Sequence, residues 1–355
     1  MRGRELLVLE GDGIGAEIMA ATLAVVKAAA GRFGFAVRLR RELIGFAAQA
    51  AVGTTFPEGV LAAAREVDGV ILGPVSHNEY GAGMPNPSGM LRKHLDLYAN
   101  IRPARTRAGL PPPAGKALDL VIVRENTEGF YADRTMFMGT GEFMPTPDLA
   151  MAMRKVTRAG STRIAEAAFG LAMRRRRRVT AVHKANVLRV SDGLFLECVR
   201  EVAGRYPEVV LEEQLIDSMA AMLIRDPSLY DVVVTTNMFG DILSDEASEL
   251  SGSLGLAASL NCGAAHGVAQ AQHGSAPGIA EIGVANPASL IGSMAMLLAW
   301  LGERRGEARL GEAAAAIDRA VDKVVAEPSG RTRDLGGMLG TAEFTARVVD
   351  ALGAS

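Results

Sequence analysis

Short apolar runs bounded by glycine alternate with longer amphipathic patterns along this chain, and no other feature constrains its fold as much. The alternation predicts an α/β architecture with a mostly parallel sheet. The predicted strands are Leu6–Leu9, Val37–Leu39, Gly69–Leu72, Leu120–Val123, Val179–His183, Val209–Leu215 and Val232–Thr235. The predicted helices are Ala16–Ala30, Pro57–Arg65, with Pro57 in its first turn, Ile291–Leu301 and Gly311–Val325.

The composition indicates a soluble globular chain. Its 355 residues are enough for two domains, and 49% are hydrophobic while 22% are charged. A formal net charge of -2 provides no basic field for nucleic acid or anionic membranes. The two cysteines, Cys198 and Cys262, are too few for a disulfide framework, so we expect buried thiols in a reducing cytoplasm. The first apolar run stops at Glu10, which is typical of a strand and not of a signal peptide, and no apolar stretch is long enough to span a membrane.

Three segments leave alternatives open. GDGIG at Gly11–Gly15 is either a dinucleotide-binding turn or a strand-to-helix turn that lines a cleft; we favour the second because the GxGxxG pattern is incomplete. Gly139–Asp148 is predicted as a hairpin or arm, followed by a helix near Leu149. The five arginines of Arg174–Arg178 are either a nucleic-acid patch or the cationic end of a helix, and we favour the helix end.

The stretch NMFGDILSDEASELSGSLG, from Asn237 to Gly255, places Asp241 and Asp245 four residues apart. If a helix starts near Phe239, both carboxylates lie on one face, where they repel each other. A bound Mg²⁺ or Mn²⁺ would compensate this repulsion, since hard cations take carboxylate oxygens as ligands. A solvated acidic helix start is the alternative.

Three arginines stand near predicted strand ends. Arg92 and Arg102 bracket a short predicted helix followed by an extended segment, and Arg124 follows a strand. The planar guanidinium binds carboxylates with two hydrogen bonds and keeps its charge, so the three side chains suit a small polyacid. For each arginine taken alone, a surface position is the alternative.

Proton-transfer and phosphate-binding groups are also present. Tyr131, which ends VRENTEGFY, is either an acid or a packed tyrosine, and Lys184, in HKAN, is either a base of lowered pKa or a snorkelling lysine. The loop HGSAPGIAEIGVANP, at His273–Pro287, has small residues that let backbone N–H groups approach phosphates, unless it is a plain surface loop.

Together these motifs resemble the β-decarboxylating dehydrogenase family, which includes isocitrate, isopropylmalate, homoisocitrate and tartrate dehydrogenases. GDGIG, LRKHLDLYANIRP, VRENTEG, HKAN, NMFGDILSD and HGSAP follow the order and spacing of that family. The resemblance implies two α/β domains with a cleft between them. The first would comprise residues 1–97 and 255–355, and the second, 98–254, would carry an arm that helps to form a homodimer with shared active sites.

The resemblance also implies roles for matching residues. Asp241, Asp245 and, from the partner subunit, Asp217 would bind Mg²⁺ or Mn²⁺. Tyr131 would be the acid, and Lys184, also from the partner, the base. The substrate residues would be Asn86, Ser88, Arg92, Arg102 and Arg124, and the cofactor residues would be Asn186, His273, Gly274, Ser275, Ala276 and Asn286.

The implied reaction is metal-dependent oxidative decarboxylation of a 3-substituted (R)-malate, a hydroxy-diacid or -triacid, with hydride transfer to NAD. The polar residues Asn86 and Ser88 favour a polar or small 3-substituent, and 3-isopropylmalate of leucine biosynthesis is the alternative. A non-catalytic regulatory subunit, the alternative of another class, would be expected to lose part of the set of acid, base and metal residues, which this chain retains.

Two residues after HGSAP bear on the type of nicotinamide cofactor. Gly278 and Ile279 match neither the aspartate usual in NAD-dependent members nor the lysine–tyrosine pair of NADP-dependent ones. Glu281 would supply a carboxylate for the ribose of NAD, whereas Arg333 would meet the 2′-phosphate of NADP. We favour NAD because the lysine–tyrosine pair is absent.

Overall fold

The computed structural model describes residues 4–131, 136 and 138–353. Within them the chain is a mixed α/β protein whose strands pair mostly in parallel, which confirms the predicted fold class. The strands are β1 (Arg4–Leu9), β2 (Val37–Arg41), β3 (Gly69–Leu72), β4 (Ala99–Arg105), β5 (Asp119–Glu125), β6 (Glu142–Thr146), β7 (Leu149–Ala152), β8 (Arg178–His183), β9 (Val210–Leu215), β10 (Val232–Thr235), β11 (Leu260–Cys262) and β12 (Gly267–Gln270). The helices are α1 (Gly15–Phe33), α2 (Gly45–Val52), α3 (Glu58–Glu66), α4 (Pro87–His94), α5 (Arg158–Ala172), α6 (Ser191–Ala203), α7 (Ile216–Arg225), α8 (Asn237–Ser251), α9 (Ala288–Arg305), α10 (Ala308–Ala326) and α11 (Thr341–Gly353).

The chain divides into two compact units. Unit 1 comprises Met1–Leu95, Arg107–Pro111 and Gly252–Ser355, and unit 2 comprises Asp96–Thr106 and Pro112–Ser251. Residues 1–3 and 354–355 of the predicted first domain lie outside the described residues. Within the described ranges, no helix combines the length and the apolar character needed to cross a bilayer.

The short segment Arg107–Pro111 belongs to unit 1, a detail that the predicted boundaries lack. The buried guanidinium of Arg107 forms ion pairs with Asp318 and Asp322 of α10. Leu110 is buried in the apolar core that also contains residues of α1, α9, α10 and α11. These contacts join residues far apart in the sequence, so no local pattern predicts them.

In unit 1 the strands lie in the order β2-β1-β3-β12-β11, and only the β11–β12 pair is antiparallel. The GDGIG turn joins β1 to α1. Gly13 has a φ of 57°, and a Cβ there would overlap the carbonyl oxygen of Ser275, which accepts a hydrogen bond from the backbone N–H of Ile14 at 2.9 Å. The Ser275 peptide therefore occupies the space beside the turn, which favours a strand-to-helix turn over a phosphate-binding one.

In unit 2 the strands lie in the order β4-β5-β10-β8-β9, with β4 antiparallel to β5 and the other pairs parallel. Strands β6 and β7 form a separate antiparallel hairpin, which is the predicted arm. Every residue of both hairpin strands is exposed. The carboxyl ends of β5, β8 and β10 lie at one edge of the sheet, where parallel α/β proteins usually bind ligands.

All seven predicted strands and four predicted helices overlap observed elements. The predicted helix near Leu149 is wrong: that segment is β7, paired with β6, and α5 begins at Arg158 after the N-cap Thr157, whose Oγ1 accepts the N–H of Gly160 at 3.0 Å.

Three smaller expectations also need correction. Arg92 and Arg102 do not bracket a helix, because Arg92 lies within α4 and Arg102 within β4. The chain leaves the helical conformation after α4, and Asp96 has a φ of 47°. Helix α8 begins at Asn237, two residues before Phe239, and Pro57 is the extended N-cap of α3 instead of a first-turn residue.

The arginine run is taken up by local ion pairs and hydrogen bonds. Arg175 Nε donates to the fully buried Asp231 at 2.7 Å, and the backbone N–H of Arg176 donates to the same carboxylate at 2.8 Å. Arg178 forms an ion pair with Glu212 at 2.9 Å. These contacts favour the structural interpretation of the run over a nucleic-acid patch.

We predict that Gly13→Ala destabilises the protein more than Gly34→Ala. Both glycines have a left-handed φ, but a Cβ on Gly34 meets nothing within 4 Å. The control substitution should cost about 1 kcal/mol of strain, and Gly13→Ala a further ~1–3 kcal/mol because the Ser275 peptide must move. Urea unfolding of both variants measures the difference; equal losses would show that the Ser275 contact adds nothing.

Candidate active site

Helix α8 packs closely against strand β5, and Gly240 permits the approach. A Cβ on Gly240 would lie 2.7 Å from the side chain of Arg124. Asn237, the first residue of α8, accepts hydrogen bonds through Oδ1 from Arg124 Nε at 3.0 Å and Nη2 at 2.8 Å. Its Nδ2 donates to the carbonyl oxygen of Glu128 at 3.0 Å. These bonds fix the plane of the Arg124 guanidinium at the carboxyl end of β5.

Two predicted arginines and two predicted aspartates form one ion-pair cluster. Arg124 Nη1 donates to Asp241 Oδ1, and Arg102 Nη1 lies 3.1 Å from the same oxygen and 3.5 Å from Asp245 Oδ1. The arginine side chains are 2% and 7% exposed, whereas Asp241 and Asp245 are 38% and 55% exposed. The cluster therefore consists of buried cations beneath carboxylates that reach solvent.

Burial, neighbouring charges and hydrogen bonds all act on the Arg102 guanidinium. Burial lowers the pKa of Arg102 to about 10, and repulsion from Arg124 adds to this effect while Asp241 opposes it. Nε donates to Asn100 Oδ1, and Nη1 also donates to Ser244 Oγ at 2.7 Å. Because the guanidinium is still cationic at neutral pH, a further anion beside it would be stabilising.

Tyr131 lies in the same cluster. Its hydroxyl donates to Asp241 Oδ2 at 3.4 Å, and the Arg124 guanidinium lies 5.9 Å from the ring centroid. The phenol is thus close to both a carboxylate and a cation. The sequence predicts an acid beside cations and a metal; the structure supplies the cation, and the role of Tyr131 stays a prediction.

Lys184 and Asp217 form a separate pair in unit 2. Lys184 follows β8, Asp217 lies in the first turn of α7, and Nζ is 2.6 Å from Oδ1. The hydrogen bond from Lys184 is the main cause that lowers the pKa of Asp217. Asn186 is exposed on the loop that follows Lys184.

The donor chemistry of Asp241 and Asp245 suits a hard divalent cation. Their four oxygens are one helical turn apart and partly open to solvent, and the guanidinium nitrogens that now contact them would have to make way for a cation. Within the described part of the chain, no group of three or more His, Cys, Asp or Glu side chains is arranged to hold a metal ion. The prediction takes the third carboxylate from Asp217 of the partner subunit, so the complete ligand set stays a prediction.

The other predicted substrate residues lie on helix α4 in unit 1. Asn86 caps this helix, because its Oδ1 accepts the N–H of Gly89 at 3.2 Å. Ser88 is buried, and its hydroxyl donates to Gln270 Oε1 at 3.2 Å. Arg92 follows Ser88 by four residues and therefore shares its helix face.

The loop after β12 contains the predicted cofactor residues other than Asn186. Ser275 is fixed by its bonds to the GDGIG turn and by a 2.7 Å contact between its Oγ and that of Ser76. Gly274 has open space where a Cβ would stand, and Ala276 has a φ of 41°. The loop thus combines a fixed backbone with room for a ligand at Gly274.

His273 has a buried ring nitrogen available to a ligand. Its Nδ1 lies 2.9 Å from the carbonyl oxygen of Gly274, and burial lowers the pKa of the ring. The Nε2 atom is buried and has no hydrogen-bond partner among the described residues. A neutral ring that donates through Nδ1 offers Nε2 as an acceptor, which fits a nucleotide hydroxyl or amino group.

Asn286 is held by a residue that the sequence analysis missed. Its Nδ2 donates to Asp334 Oδ2 at 2.9 Å, and Thr332 and Ser253 also donate to that carboxylate at 2.6 and 3.2 Å. Thr332 is two residues from Asp334, but Ser253 and Asn286 are distant in the chain, so the full set of partners is visible in the fold and not in the sequence.

Two further supporting residues were missed, Asn100 and Asn237. Asn100 stands two residues before Arg102 on β4, so the period of two along a strand puts both side chains on one face. That spacing would have identified it.

Comparison with known proteins gives consistent similarities. A family model described as isocitrate/isopropylmalate dehydrogenase matches residues 5–351. The chain is 40% identical over 350 residues to the isocitrate/homoisocitrate dehydrogenase of Thermus thermophilus, covering 98% of each chain. It is 38% identical over 353 residues to the 3-isopropylmalate dehydrogenase of Methanothermobacter thermautotrophicus, again covering 98% of each. The crystal structure of isocitrate dehydrogenase from Methylococcus capsulatus matches with a TM-score of 0.87 and 37% identity, over 98% of this chain and 99% of that one.

We predict that Asp245→Asn weakens Mn²⁺ binding at least about tenfold, because one anionic ligand is lost. Glu246→Gln is the matched control, since Glu246 is the next residue of α8 and projects in another direction around the helix. Calorimetric titration of the purified protein with MnCl2 measures both variants. Equal Mn²⁺ affinity in the two would exclude Asp245 as a ligand.

Proposed function

This chain belongs to the isocitrate/isopropylmalate dehydrogenase family, and we propose that it catalyses the metal-dependent oxidative decarboxylation of a 3-substituted (R)-malate with hydride transfer to NAD. The family makes it a decarboxylating dehydrogenase that acts on a CH–OH group. The observation that carries the proposal is the cluster of Arg102 and Arg124 with Asp241 and Asp245, which also includes the Tyr131 hydroxyl.

The arginines bind the substrate in this proposal. Arg102 and Arg124 are buried and held in fixed orientations by Asn100 and Asn237, so their N–H groups are oriented before the substrate binds. Fixed guanidinium groups bind carboxylates with little loss of side-chain entropy. Arg92 would bind another part of the same acid, and the substrate is therefore a diacid or a triacid.

The metal would be held by Asp241 and Asp245, with Asp217 of the partner subunit as the third ligand. When bound, Mg²⁺ or Mn²⁺ supplies Lewis-acid chemistry at a hydroxyl or carbonyl oxygen. Arg102 and Arg124 donate to Asp241 in this structure, and in the substrate complex their N–H groups would turn to the carboxylates of the substrate.

Tyr131 and Lys184 would transfer protons. The Tyr131 hydroxyl lies beside a cation and a carboxylate, where it can donate a proton to a substrate carbon that has lost CO2. Lys184 Nζ forms an ion pair with Asp217 Oδ1 at 2.6 Å. As the base, Lys184 would leave this ion pair to reach the substrate hydroxyl.

NAD would be held by His273, Gly274, Ser275, Ala276 and Asn286, with Asn186 near the nicotinamide. The Nε2 of His273, which has no partner in the described part of the chain, and the open position at Gly274 support a nucleotide at this loop. When bound, the nicotinamide accepts the hydride. NAD is proposed over NADP because no lysine–tyrosine pair stands at Gly278 and Ile279.

A polar or small 3-substituent, as in isocitrate, tartrate or malate, is our proposed specificity. Ser88 places a hydroxyl on the face of α4 that also carries Arg92, which favours a polar or small group over a branched alkyl group. 3-Isopropylmalate is the second candidate, because a relative of 38% identity carries that name.

A homodimer would complete the site. The β6–β7 hairpin exposes Phe143, Met144, Leu149 and Met151 to at least 45%, and an isolated two-stranded hairpin is at best marginally stable in water. The loop after Lys184 exposes Val190 to 88%. Both surfaces would be covered by a second copy of this chain. The free thiols of Cys198 and Cys262 fit the proposed cytoplasmic location.

A substrate panel tests the proposed function. (2R)-Malate, tartrate, isocitrate, homoisocitrate and 3-isopropylmalate are assayed with Mn²⁺ and either NAD or NADP, following formation of reduced nicotinamide and of CO2. We expect turnover of at least one polar or small substrate with NAD. A preference for 3-isopropylmalate would overturn the proposed specificity, and no turnover of any member would contradict the function and favour a regulatory subunit.

We predict that Tyr131→Phe and Lys184→Met each lower kcat by at least about 100-fold, as loss of a general acid or base does. If the two residues serve one site from different subunits, a heterodimer of the two variants has one intact site. Purified through two affinity tags, it should recover about half of the wild-type activity per dimer. Each homodimer variant is the control. A heterodimer as inactive as its parents would place both residues in the site of one chain.

A further inference from the structure

The carboxyl ends of strands β8 and β10 share a buried ion pair between Arg154 and Asp192. The Asp192 side chain is fully buried and that of Arg154 is 8% exposed. Arg154 Nη1 donates to Asp192 Oδ1 and, at 3.0 Å, to Ser191 Oγ. None of the motifs singled out from the sequence includes Arg154, and the roles assigned so far leave the pair without a purpose.

Asp192 fixes the backbone of Lys184. Its Oδ2 accepts the backbone N–H of Lys184 at 2.6 Å, across the turn that joins β8 to α6. The N–H of Asp192 in turn donates to the carbonyl oxygen of Leu188 at 3.0 Å. Because the Lys184 side chain is attached to this backbone position, Asp192 sets the position of the Cα atom of the proposed base.

Arg154 connects the same turn to helix α8. Its Nη2 donates to Thr236 Oγ1 at 2.9 Å, and its guanidinium lies 5.3 Å from the centroid of Phe239. Thr236 immediately precedes α8 and accepts the N–H of Gly240 at 2.9 Å. The helix that begins here carries Asp241 and Asp245.

The residues on either side of Arg154 reach the arm and Tyr131. The N–H of Met153 donates to the carbonyl oxygen of Gly141 at 2.8 Å, at the base of the hairpin. Lys155 and Gly129 exchange two backbone hydrogen bonds of 2.9 and 2.8 Å, and Gly129 stands two residues before Tyr131. One short segment therefore contacts the arm, the Tyr131 segment, the Lys184 turn and α8.

Stability alone is a poor explanation for this pair. Desolvation of two buried charges often exceeds their attraction, and well-packed apolar residues of similar volume are commonly as stable. A buried pair does restrict geometry, and a misplacement of about 1 Å in an active site can lower the rate by ~100-fold. We propose that Arg154 and Asp192 are positioning residues, which hold the Lys184 backbone at a fixed distance from α8 and join both to the arm. The proposal rests on the proposed function, because it takes Lys184 as the base.

Asp231 provides a matched control at the opposite edge of the sheet. Like Asp192, it is fully buried, pairs with an arginine, and accepts a backbone N–H, here from Arg176 at 2.8 Å. Asp231 immediately precedes strand β10, whereas Thr236 immediately follows that strand. Asp192→Asn and Asp231→Asn therefore remove the same charge from the same kind of site, at the carboxyl and amino ends of the strands.

The test compares the two variants in three measurements. The midpoint temperature of thermal unfolding should fall by similar amounts in both variants. Asp192→Asn should lower kcat by about 10- to 100-fold with KM changed less than about threefold, while Asp231→Asn keeps the wild-type kcat. Amide hydrogen exchange in the peptide that contains Lys184 should accelerate in Asp192→Asn only. Thr236→Val retains the ion pair and removes one hydrogen bond to Arg154, so it should lower kcat by about fivefold. This variant tests the proposal if Asp192→Asn fails to fold.

The outcomes separate this inference from the proposed function. Equal changes of kcat in Asp192→Asn and Asp231→Asn, or unchanged exchange at Lys184 in Asp192→Asn, would overturn the positioning role. If the wild-type protein turns over none of the panel substrates, the proposed function fails. The exchange measurement then still decides whether Asp192 holds the Lys184 backbone.

Discussion

The burial of two guanidinium groups beneath two carboxylates is the interaction on which the proposed site depends. A buried cation is costly unless it is paired and hydrogen-bonded, and Arg124 meets this requirement through Asn237 and Asp241. The cluster contains two positive and two negative side chains, so it is neutral without a ligand. A divalent cation and the two carboxylates of a malate core add equal and opposite charge. The proposed ligands can therefore enter together without leaving net charge beside the buried guanidinium groups.

The regular part of the fold is predictable from sequence wherever the core is apolar. Strands β3 and β10 are buried at every position, and Thr235 is their one polar residue. Strand β4 does not show this pattern, because its buried face carries the polar residues Asn100 and Arg102. A search for apolar runs therefore does not find this strand. The hairpin β6–β7 escapes it for the opposite reason. Every residue of these two strands is exposed, so buried and exposed positions do not alternate along them.

The site residues likewise fall into those placed by local spacing in the sequence and those placed by contacts between distant segments. Asp241 and Asp245 could be placed on one helix face because their spacing is local, and Arg102, Arg124 and Tyr131 lie beside them in the fold. The supporting residues depend on contacts between distant segments. Asp334 reaches Asn286 across 48 residues, and Arg154 reaches Asp192 across 38. Periodicity carries no information about such contacts, so a single sequence without its fold does not indicate them.

The two buried aspartates of unit 2 show why the position of an ion pair matters more than its chemistry. Asp231 joins Arg175 and Arg176 before strands β10 and β8 begin, at the edge of the sheet opposite the proposed site. Asp192 joins Arg154 after β8 ends, where the loops of parallel strands gather around ligands. Asp192 compensates one arginine and a backbone N–H, and Asp231 compensates two arginines and a backbone N–H. Only at the carboxyl end does the held N–H belong to the proposed base, so the Arg154–Asp192 pair, and not the pairs of Asp231, sets the geometry of the proposed chemistry.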